Sequence, residues 1–114
     1  MAEKGGTIVS YDDQNIFAKI LRGEIPCDKV YEDNWALAFY DISPQAPIHI
    51  LVIPKGRYVS MEDFSEKASD PEIVGYFRAV GIVARQTGAV SDGYRLLANH
   101  GKNAHQEVPH FHTH

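Results

Sequence analysis

Apolar positions along the chain follow two rhythms, one of three to four residues and one of two, and each rhythm predicts its own elements. Ile16, Phe17, Ile20 and Leu21 share one helical face. Asp13 or Asn15 can cap that helix, and Gly23 suits its C-terminal end. Val30-Tyr31 and the run from Trp35 to Tyr40 read as two strands about a turn at Glu32-Asp33-Asn34. Pro44 and Pro47 bracket a rigid loop, and His49-Ile50-Leu51-Val52-Ile53 follows as a strand apolar on both faces. Such a strand belongs inside a sheet. Asp70-Pro71-Glu72 starts a second helix, with a cap residue ahead of proline at the first helical position. Ile73, Phe77, Val80 and Ala84 form its stripe, Val74, Gly81 and Ile82 widen it, and Gly88 ends it. Tyr94 to Asn99 predicts a further strand, residues 99–104 a loop, and His110 to His114 a last strand. Residues 1–12 read as a flexible polar leader ahead of one domain over 13–114. This order of elements gives an α+β domain with a mainly antiparallel sheet.

Composition narrows the functional classes. A chain of 114 residues has room for one core. At 44% hydrophobic and 23% charged, it is an ordinary globular sequence rather than a disordered one. A net charge of −4 argues against a protein that grips nucleic acid by its phosphates, although a local site for a small phosphate ligand is compatible with it. The single cysteine, Cys27, excludes an intramolecular disulfide. No apolar run reaches membrane-spanning length and no signal-peptide core is present, so a cytoplasmic protein without membrane or nucleic-acid partners is expected.

The candidate chemistry lies at the end of the chain, where four of six histidines fall within ten residues. His110, His112 and His114 alternate with Phe111 and Thr113, a period that puts all three imidazoles on one strand face, about 6.5–7 Å apart along the backbone. Such neighbours titrate as a coupled set, so one can be a neutral nucleophile while another donates a proton. Phosphorus chemistry needs that division. A purification-tag remnant is the bland alternative, but tags run histidines contiguously. A zinc site is the stronger rival, because histidines at i and i+2 on a strand can share one ion. The outer pair, about 13 Å apart along the strand, does not readily converge on the same ion.

Glu107-Val108-Pro109-His110-Phe111-His112-Thr113-His114 resembles the signature of the histidine triad family. Ile16-Phe17-Ala18-Lys19-Ile20 with Gly23-Glu24-Ile25-Pro26, the stretch Phe39 to Pro47, the stretch His49 to Lys55, and Tyr94 to Asn99 with Gly101 extend the likeness from about Asp13 to the end. The resemblance implies a five-stranded antiparallel sheet with two helices, two subunits pairing into ten strands through the long helix and a strand. It implies a hydrolase that cleaves purine nucleoside phosphoramidates or nucleotidyl bonds through a nucleotidyl-histidine, with no cofactor. The alternatives are a diadenosine polyphosphate hydrolase or nucleotidyl transferase, and a non-catalytic nucleotide or zinc sensor.

Residue by residue, the resemblance makes His112 the nucleophile, His110 and His114 its flanking assistants, and His49 a histidine that orients it. Asp41 is implied to bind the ribose hydroxyls of a purine nucleotide such as AMP. Ile16, Phe17, Phe39 and Ile42 are implied to wall the base, and Asn99, Gln106 and Val108 to contact the phosphate. Several positions depart from the pattern. Thr113 replaces a hydrophobic residue, His105 a common glycine, and Glu107 a hydroxyl found in some members. Asn15 and Ala18 occupy the places of a zinc-binding cysteine pair, so no metal is expected. A glycine-rich tail beyond His114 is expected from the family pattern.

Overall fold

The computed structural model describes residues 10–114, so most of the expected leader, residues 1–9, lies outside the described residues. Helix α1 (Ile16–Leu21) is capped by Asn15, whose side chain accepts from the Ala18 N–H, and Gly23 follows with φ +79°. Of the two expected caps, Asn15 wins because its side chain is the one in reach of that donor. Strands β1 (Lys29–Glu32), β2 (Ala36–Tyr40) and β3 (Ile50–Pro54) form an antiparallel sheet in that order. The β1–β2 turn is tied by Asp33, whose carboxylate accepts from the N–H groups of Trp35 and Ala36. Helices α2 (Met61–Lys67), α3 (Asp70–Gln86) and α4 (Ala89–Asp92) follow, and a 3-10 turn spans Lys102–Ala104.

Sheet alternation gives the molecule two apolar layers. Ala36, Ala38, Ile50 and Val52 face Phe64 of α2, Tyr76, Ala79, Val80 and Val83 of α3, and Phe111. On the opposite face Leu37, Phe39, Leu51 and Ile53 pack with Phe17 of α1. The Phe64 and Phe111 rings stack at 4.8 Å between centroids and both are almost wholly buried. Burying each such ring stabilises the fold by roughly 1.5–3 kcal/mol.

Two expectations need correction. Among the described residues the sheet contains three paired strands rather than five. Thr113 exchanges both backbone bonds with Val52, and His114 does so with Leu97, but neither pairing extends into a ladder. The reason is local: β3 ends at Pro54, which has no N–H, and the Phe111 N–H is spent on the Tyr58 carbonyl at 2.7 Å. Tyr94 to Asn99 is therefore an extended segment held through His114, and it is largely exposed.

The helices also exceed the expected two. α2 carries no periodic apolar stripe, because Phe64 is its only buried residue; its cap, Ser60 accepting from the Asp63 N–H, is the signal in the sequence. In α3 the cap is Ser69, not Asp70, and Ser69 with Glu72 completes a capping box. The buried stripe is Gly75, Tyr76, Ala79, Val80, Val83 and Ala84, which leaves Val74 and Phe77 about half exposed on the other side.

Candidate active site

Because Phe111 and Thr113 point into the helix-side layer, His110, His112 and His114 take the α1 side of the sheet together, as expected from their spacing. Thr113, the polar departure, is buried and satisfied: its hydroxyl lies 2.8 Å from the Tyr76 hydroxyl, which also donates to the Val52 carbonyl. The chain segment carrying the histidines is thus tied to β3 by backbone and to α3 by side chains.

A cavity of about 580 Å³ opens on this side. Ile16, Phe17, Phe39, Asp41, Ile42, His49, Asn99, Val108, His112 and His114, all singled out in the sequence, line it. The apolar wall is built by α1 and β2, where the Phe17 and Phe39 rings meet edge to face at 5.6 Å. Ile42 stands at the rim, 95% exposed. No lysine or arginine lines the cavity among the described residues, so a phosphate there would meet imidazoles and backbone N–H groups.

Main-chain partners set the tautomers of His112 and His49, and the His49 side chain sets that of His114. His112 Nδ1 lies 2.7 Å from the His110 carbonyl, which can only accept, so the hydrogen sits on Nδ1 and the Nε2 lone pair is free. Burial lowers the His112 pKa below its ordinary value, which keeps that lone pair unprotonated at neutral pH. The Gln45 backbone N–H donates to His49 Nδ1 at 2.8 Å, which requires His49 to carry its hydrogen on Nε2. From there it donates to His114 Nδ1 at 2.9 Å, with an Asp41 carboxylate oxygen 3.4 Å away. His114 then carries its own hydrogen on Nε2. Burial also lowers the His114 pKa, with the His112 and His49 imidazoles acting in the same direction. The row therefore offers one bare nitrogen at His112 and one N–H at His114. Their ring centroids are 5.2 Å apart.

The remaining expected residues sit differently. His110 is wholly buried and does not line the cavity; its Nε2 lies 2.9 Å from the Pro54 carbonyl and its Nδ1 2.5 Å from the Tyr11 hydroxyl. Its contribution to His112 runs through its carbonyl. The Gln106 side chain also turns away from the cavity. It donates to the Val59 and Val108 carbonyls and accepts from the Gly101 N–H, closing the loop that carries His105 and Glu107. Asn99 spends one amide hydrogen on the Ala104 carbonyl, leaving the other free for a ligand. Gln45, Ser43 and the stretch Ile25 to Asp28 line the cavity as well; Ile25, Pro26, Ser43 and Gln45 fall in stretches that carry the resemblance, but the pattern assigns them no role in the site. Asp41, His49 and His114 each offer a ligand atom, within 4.8 Å of one another, so a divalent cation is the rival occupant to test.

A family model described as HIT domain matches residues 22–114. An uncharacterised 13.2 kDa HIT-like protein of Azospirillum brasilense is 65% identical over 105 residues, covering 92% of this chain and 86% of that one. A protein of Escherichia coli named purine nucleoside phosphoramidase is 45% identical over 103 residues, covering 90% and 85%. The crystal structure of a HIT family hydrolase from Legionella pneumophila superposes with a TM-score of 0.80 at 38% identity, covering 88% of each chain.

Proposed function

Because this chain belongs to the histidine triad (HIT) family, we propose that it is a nucleotide-binding hydrolase that cleaves purine nucleoside phosphoramidates to nucleoside monophosphates. The observation that carries this reading is the fixed tautomer of His112, whose bare Nε2 belongs to the wall of a cavity with an apolar end and a polar one. The base lies against Phe17, Phe39, Ile16 and Ile42, and the ribose hydroxyls bind the Asp41 carboxylate. His112 Nε2 attacks the α-phosphorus, an N–P bond forms, and the bond from phosphorus to the amine nitrogen breaks. The His114 N–H stabilises the charge that builds on the phosphoryl oxygens. The leaving amine takes a proton from solvent at the open side. Water then attacks the nucleotidyl-histidine, releasing the monophosphate and restoring neutral His112. Asn99 and Val108 border the phosphate, while Gln106 acts on it only through the loop it closes. The working form is a cytoplasmic homodimer, and no metal enters the reaction.

His112→Asn tests the mechanism. Turnover of an adenosine phosphoramidate is expected to fall by at least about 10³, while AMP binding stays within several-fold of wild type. Rapid quench should trap adenylate on a histidine in wild type and none in the variant. A wild-type rate in the variant rejects the nucleophile. Running a dinucleoside polyphosphate beside the phosphoramidate separates the two hydrolase readings, and absence of turnover on either favours a sensor. Activity should survive exhaustive chelation; loss that zinc reverses would assign Asp41, His49 and His114 to a metal instead.

A further inference from the structure

Tyr11 falls within the stretch read from sequence as a loose leader, yet it reaches the most deeply buried histidine of the row. Its hydroxyl lies 2.5 Å from His110 Nδ1, and the two rings meet edge to face with centroids 5.5 Å apart. The segment is clamped in that place. The Arg57 guanidinium sits 5.0 Å above the Tyr11 ring and pairs with both carboxylate oxygens of Asp13 at 2.9 Å. Arg22 holds the Asp13 carbonyl at 2.8 Å.

The direction of the Tyr11 bond follows from the other side of the ring. His110 Nε2 faces the Pro54 carbonyl at 2.9 Å, and a carbonyl only accepts, so Nε2 carries the hydrogen. Burial pushes the His110 pKa down to about 4, so near neutral pH the ring holds one hydrogen and Nδ1 is bare. Burial raises the Tyr11 pKa, which keeps its hydroxyl protonated. Tyr11 must then be the donor.

We propose that Tyr11 is a positioning residue: its hydroxyl pins His110 as the neutral Nε2–H tautomer and so fixes the carbonyl that orients His112. The ring of His110 is held at both nitrogens by different parts of the fold, one ahead of α1 and one at the end of β3. It cannot turn without breaking both bonds, and its own carbonyl is the acceptor for His112 Nδ1. The kinetic consequence rests on the catalytic reading above; the tautomer and its donor do not.

The test is Tyr11→Phe, which keeps the ring beneath Arg57, read by nitrogen-15 NMR of the imidazoles and by steady-state kinetics. Wild type should show His110 protonated on Nε2 with a hydrogen-bonded Nδ1, and the variant should show Nδ1 shifted to the position of a free acceptor. The kcat should drop about tenfold, the scale of losing a residue that orients a reacting group, with KM within twofold. A wild-type spectrum with the hydrogen on Nδ1, or with Nδ1 unbonded, overturns the proposal without any variant. So does a variant with unaltered His110 signals, unaltered kcat, or a change confined to KM. If wild type turns over no phosphoramidate, the functional reading fails, and the His110 and His112 signals decide the Tyr11 contact on their own.

Discussion

His110 gives the molecule a pH-dependent stability that can be read directly. Above its ordinary pKa of 6.5 the ring is neutral both folded and unfolded, and the full stability is present. Below that, the unfolded chain takes up a proton that the buried ring, with a pKa of about 4, refuses. Stability therefore falls as pH drops through this window, by about 3 kcal/mol for this group alone. Burial of His112 and His114 acts in the same sense. Denaturant midpoints at pH 7, 5.5 and 4.5 should decline steadily, and a flat series would contradict the buried neutral ring. At this scale the alternation of His110, His112 and His114 was legible because a period of two is a property of strands. The saturation of His110 and Gln106 was not, since their partners, Tyr11, Pro54 and Val59, come from distant segments.

Among the elements, α3 approaches the sheet's first turn closely where Gly75 meets Trp35. A Cβ built on Gly75 would lie 2.3 Å from the Trp35 ring, so Gly75→Ala forces the indole outward. Alanine improves the helix by about 1 kcal/mol, but overpacking costs about 1–3 kcal/mol, so a modest net loss of stability is expected. Trp35 is the only tryptophan, and its emission should shift to the red as the ring moves into water. Unchanged emission would mean that the helix has moved instead. Nearly all strand and helix positions up to β3 were legible, because Phe17, Leu37, Phe39, Leu51 and Ile53 repeat with clear periods. The buried stripe of α3 is narrower than its apolar pattern: Ile73 packs against the core, whereas Val74 and Phe77 share its apolar character but lie to one side. The last two strands were over-read because residue type predicts extended backbone, whereas pairing depends on whether Pro54 and Phe111 have bonds left to give.

For the whole molecule, the misread part of that stripe bears on assembly. Val74 and Phe77 of α3, with Tyr94 and Leu96 of the extended segment, remain exposed in a single chain. Large apolar side chains exposed on a helix and on an extended segment suit a self-associating surface. Sedimentation should report twice the 12.7 kDa of one chain at micromolar concentration, and Phe77→Asp should shift the molecule towards the single-chain mass. A wild-type monomer would remove the homodimer from the functional reading. The arrangement of the histidines has a different consequence, for inheritance. The hydrogens of His112 and His49 are placed by the carbonyl of His110 and by the N–H of Gln45, both of them main-chain atoms. Substitution at Gln45 by any residue but proline changes a side chain and leaves the N–H in contact with the imidazole intact. Mutation can thus reshape the cavity at Ile16, Ile42 or His105 without rewriting the tautomers of His112 and His49. Under the proposed function, a lineage built on this scaffold is free to drift in substrate while the bare nitrogen of His112 is kept.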